Sequence, residues 1–313
     1  MKKIKKNSKW IVSIAILLAV FTGIINSHLG VAQQQRQKQH PQKQQAFVQQ
    51  DATYLKFASW NIRIFSNSRT DDELKSICNV ARNFDFITVM EVRDTNILQR
   101  FMTMLNSQFG RHYAYDVSPV LGEADPDNRA YSEMCAFVYD TAVVHPVTAG
   151  RRYEDATFFR KPYYGTFKAG NFDFTVIGIH VIWGDTVEGR RKEIKRLATV
   201  YRTIQDGNPN ENDVILVGDF NRDPNDDLSW GPLKAISSMT QLFSLPDKSM
   251  VWDTHLYDNI LFQSCYTTEY SLDKGINRFD ETDFSNNDDL ASKTVSDHRP
   301  VWALFRVNGT DDD

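Results

Sequence analysis

Five apolar runs in this sequence each end in a side chain that can bind a metal, move a proton or donate a hydrogen bond. LKFASWNI at 55–62 carries Asn61, FITVME at 86–91 ends in Glu91, and VIGIH at 176–180 ends in His180. VILVGDFN at 214–221 carries Asp219 and Asn221, and VSDHRP at 295–300 carries Asp297 and His298 just ahead of a last apolar run. Taken singly, each has an ordinary explanation: a turn amide, a surface carboxylate, a satisfied core histidine, a Gly-Asp turn. All five at strand ends point instead to one rim of a sheet, where residues far apart in sequence share a cleft. The residue types suit hydrolysis of a phosphodiester. Hard oxygen ligands such as Glu91, Asp219 and Asp297 fit Mg²⁺ or Mn²⁺, which neutralises the non-bridging oxygens and orients the phosphate. The reaction also needs a base for the attacking water and an acid for the leaving oxygen, and His180 and His298 titrate in the right range. Each imidazole needs a carboxylate to fix its tautomer, for which Glu133 and Asp258 are candidates. Asn61 and Asn221 can donate to the phosphate and to the charge that develops on it.

These residues need a scaffold. Strands are predicted over Leu55–Ile62, Phe86–Glu91, Met134–Tyr139, Phe172–His180, Val214–Phe220, Tyr257–Phe262 and Val301–Phe305. Two amphipathic helices are predicted. Asp71–Asn83 carries Leu74, Ile77, Val80 and Ala81 on one face, and Gly189–Ile204 turns Ile194, Leu197, Val200 and Tyr201 inward. Many strands, few helices and no regular βαβ alternation suggest two sheets in a layered sandwich with helices outside. The acid-rich stretch from Leu272 to Lys293 reads as a solvated loop, as does EADPDN at 123–128.

The 313 residues, 41% hydrophobic and 12% aromatic, suffice for one large core. The formal charge is −4, and the first 32 residues contribute five lysines and no acid, so the body is acidic. That excludes a static nucleic-acid clamp, which carries a basic face, but not a nuclease whose acids hold metal. The lysine-rich start, the apolar run Trp10–Ile25 and the small residues Gly30-Val31-Ala32 read as a signal peptide over 1–32, with an uncleaved N-terminal anchor as the minority reading. Residues 33–53 read as a Gln-rich disordered linker, 54–307 as the catalytic domain and 308–313 as an acidic tail. Cys78, Cys135 and Cys265 show no metal spacing and read as buried free thiols, with one disulfide plus a spare thiol the other option.

The ordered set LKFASWNIRIF (55–65), ITVMEVRD (87–94), YSEMCAFVYD (131–140), VIGIHVIWGD (176–185), VGDFNRD (217–223), YDNILF (257–262) and SDHRPV (296–301) resembles the endonuclease/exonuclease/phosphatase superfamily, and within it the deoxyribonuclease I-like branch. The resemblance runs from about Leu55 to Phe305. It implies an α/β four-layer sandwich of two mixed β-sheets flanked by helices, and an Mg²⁺-dependent endonuclease cutting DNA with little sequence specificity. It implies metal ligation by Glu91, Asn61, Asp297 and Asp219. It further implies catalytic pairs Glu133–His180 and Asp258–His298 with Asp219 and Asn221 between them, and substrate contacts by Arg63, Arg93, Arg111, Tyr131 and Asn221. The cysteines do not match the disulfides of secreted animal members, so their structural Ca²⁺ sites do not transfer, though Ca²⁺ stays open for the acidic loops. A secreted monomer is expected, with DNA as a transient partner, no stable protein partner, and membrane contact only through an uncleaved N-terminus. Two other readings stand: a secreted phospholipid, sphingomyelin or small-phosphoester hydrolase of the same fold, for which Trp183 and Trp252 are the candidate docking aromatics, and an inactive surface-binding module.

Overall fold

The computed structural model describes residues 53–122, 132–184, 186–208 and 211–310. The signal-peptide, linker and EADPDN readings, and Tyr131, lie outside these residues. One six-stranded sheet runs β12-β13-β1-β2-β4-β3, and a second runs β10-β11-β9-β8-β7-β5, with the short β6 (Arg151–Arg152) paired to β7 and the edges formed by β10 (Met239–Gln241) and β5 (Val144–Pro146). The strands that matter below are β1 (Tyr54–Phe65), β2 (Phe86–Val92), β3 (Tyr113–Val117), β4 (Met134–Asp140), β7 (Tyr163–Ala169), β8 (Phe172–His180), β9 (Val214–Asp219), β11 (Asp258–Gln263), β12 (Tyr270–Ile276) and β13 (Val301–Arg306).

Each sheet has one parallel pair, β1 with β2 and β8 with β9. A parallel pair needs a crossover. α1 (Asp71–Ala81) supplies it in the first sheet and α3 (Val187–Gln205) in the second. Two βαβ units therefore exist where the sequence pattern suggested none. α1 opens on a capping box of Thr70 and Glu73. α2 (Thr95–Phe109) is capped by Asp94, which accepts from the Ile97 N–H, and ends at Gly110 in the left-handed conformation.

The sheets pack face to face on an aromatic core. Phe57 and Phe86 stack with ring centroids 5.0 Å apart, and Phe86 meets Phe167 edge-on at 4.9 Å. The outer face of the first sheet (Trp60, Ile62, Val89) packs on Leu74, Ile77 and Phe101 of α1 and α2. The outer face of the second packs on Ile194, Leu197 and Tyr201 of α3. This gives four layers, helix–sheet–sheet–helix. Each fully buried Phe or Leu contributes about 1.5–3 kcal/mol of transfer free energy. Because both faces of the central strands are covered, their sequences are continuously apolar rather than alternating.

The segment 272–293 is not a simple loop. It lies beyond α4 (Asp227–Lys234), completes β12 and then forms α5 (Phe279–Thr282) and α6 (Asp288–Thr294). Asp280, read as a solvated acid, is 1% exposed and paired with buried Arg299, so its charge is neutralised inside the protein. All three cysteines are free, and Cys265 is exposed, not buried, because it lies in the turn after β11. Among the described residues no helix is long and apolar enough to cross a membrane.

Candidate active site

Strand direction assembles the site. β1 and β2 run parallel, so their C-terminal ends bring Asn61 and Glu91 to one rim. β4 and β13 run antiparallel to them, so the residues ahead of their first positions, Glu133, Asp297 and His298, reach the same rim. In the second sheet the parallel ends of β8 and β9 carry His180 and Asp219, directly paired in register, and antiparallel β11 begins there with Asp258. Asn61, Glu91, His180, Asp219, Asn221, Asp297 and His298 face a cleft of about 360 Å³, which Trp183, Trp252, His255 and Tyr257 also line, while Glu133 and Asp258 are buried behind the histidines. A larger cavity of about 540 Å³ between α1 and α2 is lined by residues such as Arg100 and Asp71 and has no histidine. Chemistry selects the smaller one.

Local backbone distortion aims the ligands. The β1–β2 register shifts between Asn61 and Phe65, and the β2–β4 register between Val89 and Val92. These irregularities turn Glu91 out of the ladder. Ile64, Glu91 and Asn221 all have positive φ (47°, 61° and 50°), a conformation costing about 1–3 kcal/mol each outside glycine. Gly218 has φ 144°, and a Cβ there would lie 1.9 Å from the Ile179 carbonyl oxygen, so only glycine lets β9 lie this close to β8.

Asp219 is the focus. Its Oδ2 accepts from Asn61 Nδ2 at 3.0 Å and lies 3.5 Å from His180 Nε2 and 3.6 Å from His298 Nε2. Its Oδ1 accepts from the Asn221 N–H at 2.8 Å. Asn221 Nδ2 is turned away, donating to the Val181 carbonyl at 2.7 Å. Each imidazole is held from behind, His180 Nδ1 by Glu133 Oε1 at 2.6 Å and His298 Nδ1 by Asp258 Oδ2 at 2.8 Å. Both pairs are buried. Burial and Arg160 work against charge on His180, but Glu133 and Asp219 outweigh them and raise its pKa. Burial opposes charge on His298 too, yet Asp258 and Asp219 push it up to about 10. Burial would raise Glu91, but His180, the Ile64 N–H and Arg93 hold it at about 2.

The donors fit a hard divalent cation. Asn61 Oδ1 is buried without a hydrogen-bond partner, while its Nδ2 also reaches Glu91 Oε1 at 3.3 Å. That places three oxygen-bearing side chains together, the preference of Mg²⁺ and Mn²⁺. A buried Asp219–Asp258–His298 cluster has ligand atoms within 4.8 Å of one another. There, however, His298 is bonded to Asp258 Oδ2 through Nδ1 and leaves only Asp258 Oδ1 without a partner, whereas the Asn61–Glu91–Asp219 side offers oxygen donors alone, which favours it for a hard cation. Asp297 lies at the mouth, 3.9 Å from Arg63 Nε.

The arginines divide. Arg63 is half-exposed at the rim. Arg93 turns inward, its Nη2 3.1 Å from Glu91 and 3.7 Å from Glu133. Arg111 must be corrected. It precedes β3, whose first residue pairs with Asp140 at the far end of β4, so it lies at the opposite rim in an ion-pair cluster with Asp85 and Asp140. The guanidinium the sequence reading missed is Arg160, buried in the cleft with its Nε 2.9 Å from Glu133 Oε1. A lone arginine ahead of β7 has no periodicity to mark it, and only the fold brings it to Glu133.

Comparisons with known proteins bear on the family and the fold. The sequence model of the endonuclease/exonuclease/phosphatase family matches residues 58–298. A deoxyribonuclease from Thioalkalivibrio sp. (strain K90mix) is 28% identical over 270 residues, 81% of this chain and 72% of that one. Deoxyribonuclease gamma from Homo sapiens is 29% identical over 278 residues, 80% and 85% of the respective chains. The solved structure of a humanized D. rerio TDP2 shares the fold with a TM-score of 0.56 at 14% identity, covering 82% of this chain and 99% of that one.

Proposed function

Because the chain belongs to the endonuclease/exonuclease/phosphatase family and is a hydrolase of phosphodiester bonds, we propose that it is a metal-dependent endonuclease cutting DNA with little sequence specificity. The observation that carries this reading is the convergence of two histidine–carboxylate pairs on Asp219 Oδ2, with His180 Nε2 and His298 Nε2 both within 3.6 Å. DNA as the substrate is favoured by the deoxyribonuclease relatives and by Arg63 at the rim.

Glu91, Asn61 and Asp219, with Asp297 at the mouth, would hold the divalent ion, which when bound neutralises the phosphate and polarises it. The protein's own groups do the rest. Glu133 and Asp258 keep the Nδ1 protons on their imidazoles, so each Nε2 faces the cleft ready to exchange a proton. One imidazole accepts the proton of the attacking water and the other returns one to the leaving oxygen, each step contributing about 10²–10⁴-fold. Arg160 pairs with Glu133 and adds positive potential beside the phosphate. Arg93 is held inward by Glu91 and Glu133, and would reach DNA only by turning out from them; as an arginine at a narrow groove it would then read width rather than sequence. Export is part of the proposal and rests on the lysine-rich, apolar, small-residue pattern of residues 1–32.

Plasmid nicking by the purified protein tests the reading. Cleavage should occur with Mg²⁺, stop with EDTA and be lost in His298→Ala. No cleavage of duplex DNA, single-stranded DNA or RNA with any divalent metal would shift the reading to a lipid or small phosphoester.

A further inference from the structure

The cleft mouth beside the second histidine pair is paved with aromatic rings that the hydrolysis above does not use. Trp183 is 56% exposed and Trp252 41% exposed. Neither packs into a core, yet both are held. The Arg190 guanidinium lies over the Trp183 ring, 4.9 Å from its centroid, and donates to the Trp183 carbonyl. Trp183 meets Tyr257 edge-on at 5.9 Å. Tyr257 stacks with His255 at 4.6 Å and 8° between planes. His255 Nδ1 is bonded to Asp223 at 2.8 Å, and Trp252 Nε1 donates to Asp289 at 3.3 Å. The tethers fix the rings in advance, and while Tyr257 is buried behind them, the apolar faces of Trp183 and Trp252 stay open to solvent, an arrangement that folding alone does not reward. The chain links the platform to the chemistry: Trp183 is three residues past His180, and Tyr257 directly precedes Asp258.

We propose that Trp183, His255, Tyr257 and Trp252 form a stacking platform that receives an unpaired nucleobase next to the scissile phosphate, so that single-stranded or locally melted nucleic acid is a preferred substrate. This rests on the nuclease reading and narrows it. A base inside a duplex has both faces covered by its neighbours and cannot stack on a protein ring, whereas an unpaired base can. The surrounding charges favour a nucleotide over a membrane. Arg190 beside the rings offers a cation to the backbone, while Asp223 and Asp289, each bonded to an aromatic ring of the platform, would be carried toward hydrocarbon if these aromatics entered a bilayer.

The test compares kcat/KM of the full chain on a short single-stranded oligonucleotide and on the same sequence as a duplex. Trp183→Ala should lower the single-strand value by about 5- to 150-fold, the equivalent of one lost base stack, and reduce the single-strand to duplex ratio. Trp183→Phe should keep most of the preference, which separates ring loss from misfolding. In the His298→Ala background, a fluorescent base analogue in the single strand should be quenched on binding, and less so once Trp183→Ala is added. Equal losses on both substrates, or no loss on either, would overturn the platform while leaving the nuclease reading intact. Absence of cleavage of either substrate by the wild-type protein would overturn both. Trp183-dependent binding to phosphatidylglycerol vesicles without a change in the cleavage ratio would assign the rings to a membrane instead.

Discussion

Glu133→Gln is the most informative single change, because one buried carboxylate serves three partners. Oε1 takes His180 Nδ1 at 2.6 Å and Arg160 Nε at 2.9 Å, and Oε2 lies 3.7 Å from Arg93 Nη2. The substitution keeps the volume and removes the charge. Arg160 would then be a buried cation left with the His180 and Val181 carbonyls at 3.4 Å, both at the long end of a hydrogen bond. Removing one partner of a buried ion pair costs about 3–5 kcal/mol, and the remaining carbonyls argue for the lower end. For a domain of this size, about 3 kcal/mol lowers Tm by roughly 6–12 °C. Independently, His180 loses the group that fixes its tautomer and raises its pKa, so kcat should fall by about 10²–10⁴. Calorimetry reads the first effect. Steady-state cleavage well below the lowered Tm reads the second, free of unfolding. A variant that melts early but retains kcat within a few-fold of wild type would refute the claim that Glu133 works through His180. An unchanged Tm would refute the buried ion-pair account.

Asp258→Asn addresses the other pair through pH. The folded pKa of His298 is raised to about 10, above its ordinary value near 6.5. Its ion pair therefore stabilises fully below about 6.5, and that contribution fades as pH rises through about 10. In EDTA, the Tm difference between wild type and Asp258→Asn should be larger at pH 6 than at pH 10; a pH-independent difference would contradict the pairing. Gly218→Ala tests how closely β9 must approach β8. With a Cβ 1.9 Å from the Ile179 carbonyl and φ at 144°, a shift of the strand is unavoidable, and Asp219 moves with it. A displacement near 1 Å in a positioned group costs about 10²-fold, so cleavage should drop by that order, and wild-type kcat would show that Asp219 needs no such placement.

How much of this was readable beforehand depended on what kind of signal each residue leaves. Asn61, Glu91, His180 and Asp219 interrupt or end apolar strands, and a polar group in that position stands out against the run. The two sheets were legible for the same reason. Helix α2, absent from the sequence-based expectation, also left a signal, Asp94 as a cap followed by Ile97, Leu98, Phe101, Met102 and Leu105 at helical spacing. Arg111 and Arg160 mark the limit. Which rim an arginine reaches depends on whether its strand runs with or against its neighbour, and no local pattern encodes that. The same holds for Asp280, an acid in an acidic stretch that only the fold pairs with Arg299. His255, just ahead of YDNILF, and Tyr257, its first residue, look unremarkable until the turn stacks them at the cleft mouth.

On the proposed reading, His180 and His298 act together on one phosphate, held by the divalent ion that Asn61, Glu91 and Asp219 would bind. Single-turnover cleavage by His180→Ala, His298→Ala and the double variant, with saturating Mg²⁺, tests it most directly. Groups that act as a unit are non-additive. Each single variant should lose at least about 10²-fold, and the double should be little slower than the worse single. Wild-type rates in both single variants would contradict the account, and fully multiplicative losses in the double would show two histidines working on separate steps or separate sites.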